Sequence, residues 1–201
     1  MRALTAVRVF VLAITCMLAA PGSGARAQGF ITCEPGTSAT IPCPCGNAPS
    51  GIGRGCNNSL NTGGASLVGS GNASLGADTF TVFAASIGSS GPTCSSVATN
   101  ILSVLYQGNT PLAASVPFGD GVLCCGGNVL LMVAKLAQAG TFLYPQVTSD
   151  PPISLLSASL GDVLAVGATR CYFVAYRDSC PTFCTTSARN KTSSYVVTWL
   201  P

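Results

Sequence analysis

The sequence contains no histidine, and charged residues make up only 7% of its 201 positions. Without histidine, the usual proton shuttle near neutral pH is missing, and so is every Ser–His or Cys–His nucleophile. Carboxylate and Ser–Lys chemistry remain open. Lys135 and Lys191 are the only lysines, and neither sits in an S-x-x-K context. No basic stripe is present to neutralise phosphates, which argues against nucleic-acid binding. Long apolar runs are also scarce. The longest late stretch, Val122 to Ala137, is interrupted by Gly126, Gly127, Asn128 and Lys135, so no stable membrane anchor is expected.

The N-terminus reads as a secretory leader over residues 1–27. Arg2 and Arg8 form its basic end, Val9 to Ala20 its short apolar centre, and Ala25-Arg26-Ala27 an A-x-A cleavage site. Removing Arg2, Arg8 and Arg26 leaves six bases against six acids, a near-neutral mature chain. Ser, Thr, Asn and Gly carry its polarity. The expected location is secreted, extracellular or periplasmic, after cleavage near Ala27.

Cysteine is what the chain has in abundance. Beyond Cys16 of the leader stand Cys33, Cys43, Cys45, Cys56, Cys94, Cys124, Cys125, Cys171, Cys180 and Cys184. An even set behind a leader favours disulfides over zinc, even for Cys43-x-Cys45 and Cys180-x-x-x-Cys184. The residues alone leave the pairing open. Cys124 and Cys125, adjacent in a strand, would face opposite ways and pair elsewhere.

Residues 28–64 are rich in Cys, Gly and Pro, and predict an irregular cross-linked segment with one strand over Phe30–Cys33. Residues 65–201 predict a β domain of short strands and turns. A hairpin is expected from Ala65–Leu67 to Ala73–Leu75. Further strands are expected over Thr79–Ala85, Asn100–Gln107, Asn128–Ala137, Thr141–Tyr144, Ile153–Ser157, Asp162–Val166, Arg170–Tyr176 and Ser194–Leu200. Helix is the rival over Val129–Gln138, but the flanking glycines favour strand. The fold class expected is all-β: a disulfide-stapled antiparallel sandwich, jelly-roll-like or Ig-like.

Ordered blocks run through the mature chain: Cys43-Pro44-Cys45-Gly46-Asn47, Gly53-Arg54-Gly55-Cys56-Asn57-Asn58-Ser59, Gly63-Gly64-Ala65-Ser66-Leu67, Phe118-Gly119-Asp120-Gly121, Tyr176-Arg177-Asp178, Phe183-Cys184-Thr185 and Val197-Thr198-Trp199. Together they resemble an uncharacterised β-rich domain family of secreted bacterial proteins. The resemblance implies bridges Cys45–Cys56 and Cys124–Cys184, with Cys33, Cys43, Cys94, Cys125, Cys171 and Cys180 also bridged. It implies no activity. Cys125 beside Cys124, and Leu123 in place of a basic residue, depart from its pattern.

Asp120 and Asp178 are the candidate catalytic pair, and the implied Cys124–Cys184 bridge would draw their loops together. Such a pair could serve glycoside hydrolysis. The plainer reading makes both turn-forming aspartates that cap backbone N–H groups or pair with Arg177. Calcium could use Asp120, Asp150, Asp162 or Asp178, but no D-x-D loop supports it, so no cofactor is expected. Tyr172, Tyr176, Tyr195 and Trp199 could line a sugar-binding face; alternating aromatics more often fill a core. Asn57, Asn72 and Asn190 fall in N-x-S/T sequons, read as polar surface loops. The function expected is a non-enzymatic structural or adhesion module, with a carbohydrate-binding domain or carboxylate hydrolase as alternatives. The partner would be an extracellular polysaccharide or envelope component.

Overall fold

The computed structural model describes residues 29–37, 40–88, 100–178, 180, 183–184 and 188–201. The expected leader and Cys94 lie outside them. The chain is mostly antiparallel β. Its elements are β1 (Gly29–Thr32), β2 (Ser66–Ser70), β3 (Thr81–Ala85), β4 (Asn100–Phe118), β5 (Gly121–Gln138), β6 (Phe142–Tyr144), α1 (Ile153–Ser159), β7 (Thr169–Arg177), β8 (Arg189–Lys191) and β9 (Ser194–Thr198). The larger sheet runs β1-β9-β7-β4-β5, with β8 also on β7; the smaller is β2-β3-β6. Among the described residues no helix is long and apolar enough to cross a membrane.

The long hairpin β4–β5 extends well past the expected strands. It runs through Gly108, Pro111 and Pro117, and through Gly126 and Gly127, which read in sequence as interruptions. Here they are absorbed by register shifts at Leu105/Tyr106, Gly108/Thr110 and Pro111/Val116. β4 pairs with β7 only over Ser103–Gly108. Beyond that point it is an edge strand toward β7, where proline removes no ladder bond. Gly119, at φ 60°, begins the two-residue turn that closes the hairpin with Asp120. The stretch 128–137 is strand, as its length and glycines indicated.

Three expectations fail locally. The Ala65–Leu67/Ala73–Leu75 hairpin does not form, because β2 pairs with β3 instead. Ser74 makes a parallel bridge to Leu200, flanked by Leu75 N–H to Leu200 O and Leu200 N–H to Ala73 O, both 2.9 Å. Ile153–Ser157 is not a strand but the start of α1. Pro151 and Pro152 lead into it, the Ser154 N–H is taken by Asp78 Oδ2 at 2.8 Å, and Ile153 and Ser157 bury one face at helical spacing. Asp162–Val166 is a loop in which Asp162 receives both forks of Arg170 at 2.6 Å.

Both sheets feed one apolar cluster. Leu67, Phe80, Val82, Phe142 and Tyr144 come from the β2-β3-β6 side. Ile101, Leu105, Tyr172, Val174, Tyr176, Val197 and Trp199 come from the larger sheet and its end. Phe80 is the hub: its ring centre lies 5.5 Å from Tyr172 and 6.0 Å, edge-on, from Trp199. The alternate face of β7 carries Cys171, Phe173 and Ala175 into a second cluster with Cys125 and Val196. The strand expected over Arg170–Tyr176 therefore forms, with both faces buried.

The disulfides are Cys33–Cys124, Cys43–Cys56, Cys45–Cys184 and Cys125–Cys171, and Cys180 is also disulfide-bonded. The Cys45–Cys56 and Cys124–Cys184 pairings are thus overturned. Cys43 and Cys45 straddle a tight turn closed by Gly46 N–H to Cys43 O at 3.1 Å. That turn leaves Cys43 buried beside Cys56 and Cys45 exposed toward Cys184. Cys124 and Cys125 do point opposite ways, into different clusters.

Candidate functional site

The two candidate carboxylates sit where three segments meet: the β4–β5 turn, the β7–β8 connection and the irregular N-terminal run. Asp120 is the second residue of the turn, and its N–H donates to Arg189 O at 2.9 Å. Asp178 follows β7, and its N–H donates to Ala188 O at 2.9 Å. Residues 188–190 thus tie both aspartates to one short strand. From the N-terminal side, Asn47 Nδ2 donates to Asn57 O at 2.6 Å and to Asp120 O at 3.1 Å. Asn190 Nδ2 donates to Asn57 O at 3.0 Å and to Cys56 O at 3.3 Å. Side-chain amides thus satisfy the backbone of a segment too irregular to satisfy itself.

Neither aspartate side chain reaches solvent; both residues are fully buried. The Asp178 carboxylate accepts the Ser59 N–H at 3.2 Å on each oxygen and the Ser59 hydroxyl on Oδ1. Burial pushes its carboxyl above the usual range, while the Ser59 and Asn190 hydrogen bonds pull the other way. Burial also raises the neighbouring Tyr176 hydroxyl, and the Asp178 and Asp120 charges raise it further. Asn58 Nδ2 lies 3.5 Å from that hydroxyl and 2.9 Å from Ser86 O. Asp178 therefore pins the N-terminal run to the end of β7. The plainer reading, a carboxylate that caps a backbone N–H, holds for Asp178 through Ser59. A hydrolase needs its two carboxyl groups in a cleft that substrate can enter, and full burial denies this pair that access.

An Asp120 carboxylate oxygen and the sulfurs of Cys45 and Cys184 lie within 4.8 Å of one another. The two sulfurs are bonded to each other, so neither is a thiolate ligand. The other aspartates of the calcium expectation lie apart. Asp150 pairs with Lys135 and accepts the Gln146 N–H at 2.7 Å. Asp162 pairs with Arg170.

The four aromatics expected on a ligand face are core residues. Tyr172 and Trp199 are fully buried, and Tyr176 and Tyr195 nearly so. They belong to the shared cluster rather than to a surface. The polar tips are satisfied internally: Trp199 Nε1 donates to the Tyr172 hydroxyl at 3.3 Å, and that hydroxyl donates to Gln107 Oε1 at 2.8 Å. Gln107 Nε2 then donates to Ser157 Oγ and Asp162 Oδ2, each at 2.8 Å. The chain of bonds runs from the core to the Asp162–Arg170 pair. The sequon residue Asn190 is likewise buried, not on a surface loop.

Sequence reasoning missed Lys191. It is fully buried on β8, with Nζ 2.8 Å from Val122 O, 3.4 Å from Ser194 Oγ and 5.2 Å from the Phe173 ring centre. Desolvation brings its pKa down to about 7. Nothing in the local run Arg189-Asn190-Lys191-Thr192 marks it as internal. Searches against family models, curated proteins and solved structures find no match to the chain.

Proposed function

We propose that this chain is a secreted, non-enzymatic extracellular module with a structural or adhesive role. In this reading the leader is cleaved near Ala27 and the two sheets pack as a sandwich. The protein belongs with the secreted bacterial domain family that its ordered blocks resemble. Its partner is an extracellular polysaccharide or envelope component, and it needs no cofactor. The burial of Asp120 and Asp178 carries the argument: neither carboxylate faces solvent, and that of Asp178 is spent on Ser59. Extensive cross-linking fits service outside the reducing cell interior. The test is retention of the exported, purified protein on cell envelopes and insoluble polysaccharides, with glycosidase assays run in parallel. Specific retention with no sugar release is expected. Sugar release abolished by Asp178→Asn, or free thiols in exported material, would overturn the reading.

A further inference from the structure

The aromatics expected on a ligand face are buried, but the smaller sheet turns one ring outward. Along β3 the side chains of Val82 and Ala84 enter the core, and Phe83 between them is 40% exposed. Its cross-strand partners are Val68 on β2 and Leu143 on β6, both also exposed. Direct partners share a face of their sheet. Val68, Phe83 and Leu143 therefore form one apolar row across the outside of the smaller sheet, with the flat ring at its centre. On the β6 side the row meets a hollow of about 270 Å³, lined by Phe83 and Leu143 together with Leu136, Gln138, Thr141 and Gln146. Sites that enclose a drug-sized ligand run from about 300 to 1,000 Å³, so this one suits a single ring-sized unit.

The polar groups of the hollow are held from behind. Gln138 and Thr141 exchange both backbone hydrogen bonds, each 2.9 Å, and the Thr141 hydroxyl donates to Gln138 O at 2.8 Å. The Gln146 carbonyl accepts the Ser149 and Asp150 N–H groups, both at 3.1 Å, and its own N–H donates to Asp150 Oδ2 at 2.7 Å. Backbone bonds thus fix both turns, and neither glutamine side chain is needed to close them. Lys135 also lines the hollow, but it is paired with that same Asp150 oxygen, and its Nζ lies 5.3 Å from the Tyr144 ring centre. Its charge is balanced inside the protein. The hollow therefore offers a ring, aliphatic walls, two amides and a hydroxyl, with no net charge. That combination selects a ligand with a flat apolar face and uncharged hydroxyls around its edge. A pyranose ring has both: its C–H bonds meet the negative face of an aromatic ring, and its hydroxyls bond to side-chain amides in either direction. A purely apolar ligand would desolvate the amides without replacing their water.

We propose that this hollow binds a neutral pyranose unit of a polysaccharide, its ring stacked on Phe83 and its hydroxyls on Gln138 and Gln146. The assignment rests on the polysaccharide partner of the proposed function and gives that partner a place on the fold. The test is an NMR titration of the full mature chain with cellohexaose, chitohexaose and mannohexaose, beside an oligogalacturonate of the same length. Saturable binding of at least one neutral oligomer is expected, with a Kd of about 1 mM or tighter and with shifts centred on Phe83, Gln138, Leu143 and Gln146. Phe83→Leu keeps an apolar side chain without the flat face and should weaken binding about tenfold, while Phe83→Trp should preserve it. Gln146→Ala, on an exposed turn, should weaken it about threefold with an unchanged melting curve. The proposal fails if no neutral oligomer shifts these amides, if neither Phe83→Leu nor Gln146→Ala weakens binding, or if oligogalacturonate binds more tightly than every neutral oligomer. Polysaccharide retention that survives Phe83→Leu undiminished would remove this site and leave the adhesive reading standing. No retention of the natural chain on any polysaccharide, with no oligomer bound, would remove both.

Discussion

The two faces of β7 solve the same burial problem by different means. Tyr172, Val174 and Tyr176 enter a broad aromatic core shared with the smaller sheet. Cys171, Phe173 and Ala175 meet only a small cluster, which a disulfide to Cys125 and the rings of Tyr106 and Phe118 complete. Where a second sheet supplies apolar area, packing suffices. Where it does not, covalent bonds and a hairpin fill the deficit, and part of the face stays open as a groove lined by Leu102, Val104, Tyr106 and Ala175. Stability and accessibility are thus divided between opposite sides of one strand.

Removing an anchor from the broad face should cost most. Trp199→Ala deletes a fully buried ring and should lower unfolding free energy by about 3–5 kcal/mol in denaturant titrations. On the other face, replacing Cys125 and Cys171 together with alanine should cost about 2–4 kcal/mol. A larger loss there than for Trp199→Ala would invert the comparison. Lys191 offers a substitution of opposite sign. Its folded pKa is about 7 against 10.5 for a free lysine, so between those values the unfolded chain holds the extra proton. Stability through this group therefore rises with pH across that window and is lowest below it. Lys191→Met should stabilise the protein by roughly 2 kcal/mol at pH 6, and the gain should vanish near pH 10.5. Equal gains at both pH values would show that the side chain is not charged in the way its burial requires.

Smaller effects test the network that links the core to the surface. Asp162 is held below its usual range, first by the Arg170 hydrogen bonds. Its contribution is present above the unfolded carboxylate value near 3.8 and is lost as pH falls through the depressed folded value. Asp162→Asn should cost about 1–2 kcal/mol at pH 7 and flatten the acid limb of the stability curve. Leu102→Ser, on the exposed groove floor, should change stability by less than about 0.5 kcal/mol. A larger loss would mean that the groove is a continuation of the core.

These contrasts also explain what could be read from the chain. The strand over Arg170–Tyr176 was legible because its aromatic and β-branched content is a local signal; the burial of both its faces was not, because that depends on what packs against each. The strand expected over Thr79–Ala85 was equally plain, and it forms over Thr81–Ala85. Ile153–Ser157 misled because one β-branched residue in a short apolar run fits either element, and the preceding prolines decided it. β4 and β5 were underestimated because Gly and Pro at edge bulges resemble breaks. The aspartates were legible as turn residues, but Ser59 lies 119 positions from Asp178, and no local pattern announces such a partner. The burial of Tyr172 and Trp199 followed the commoner fate of alternating aromatics; Lys191 followed no rule of composition.

The Cys43-Pro44-Cys45 turn sends one sulfur 13 residues along the chain and the other 139. The first partner follows Cys43 out of the ribosome almost at once, and the second follows Cys45 only after most of the described strands. Two neighbouring sulfurs therefore serve opposite ends of the scale of loop closure: Cys43–Cys56 ties a short local ring, and Cys45–Cys184 closes a loop about ten times longer, so the entropy removed from the unfolded chain is larger for the second.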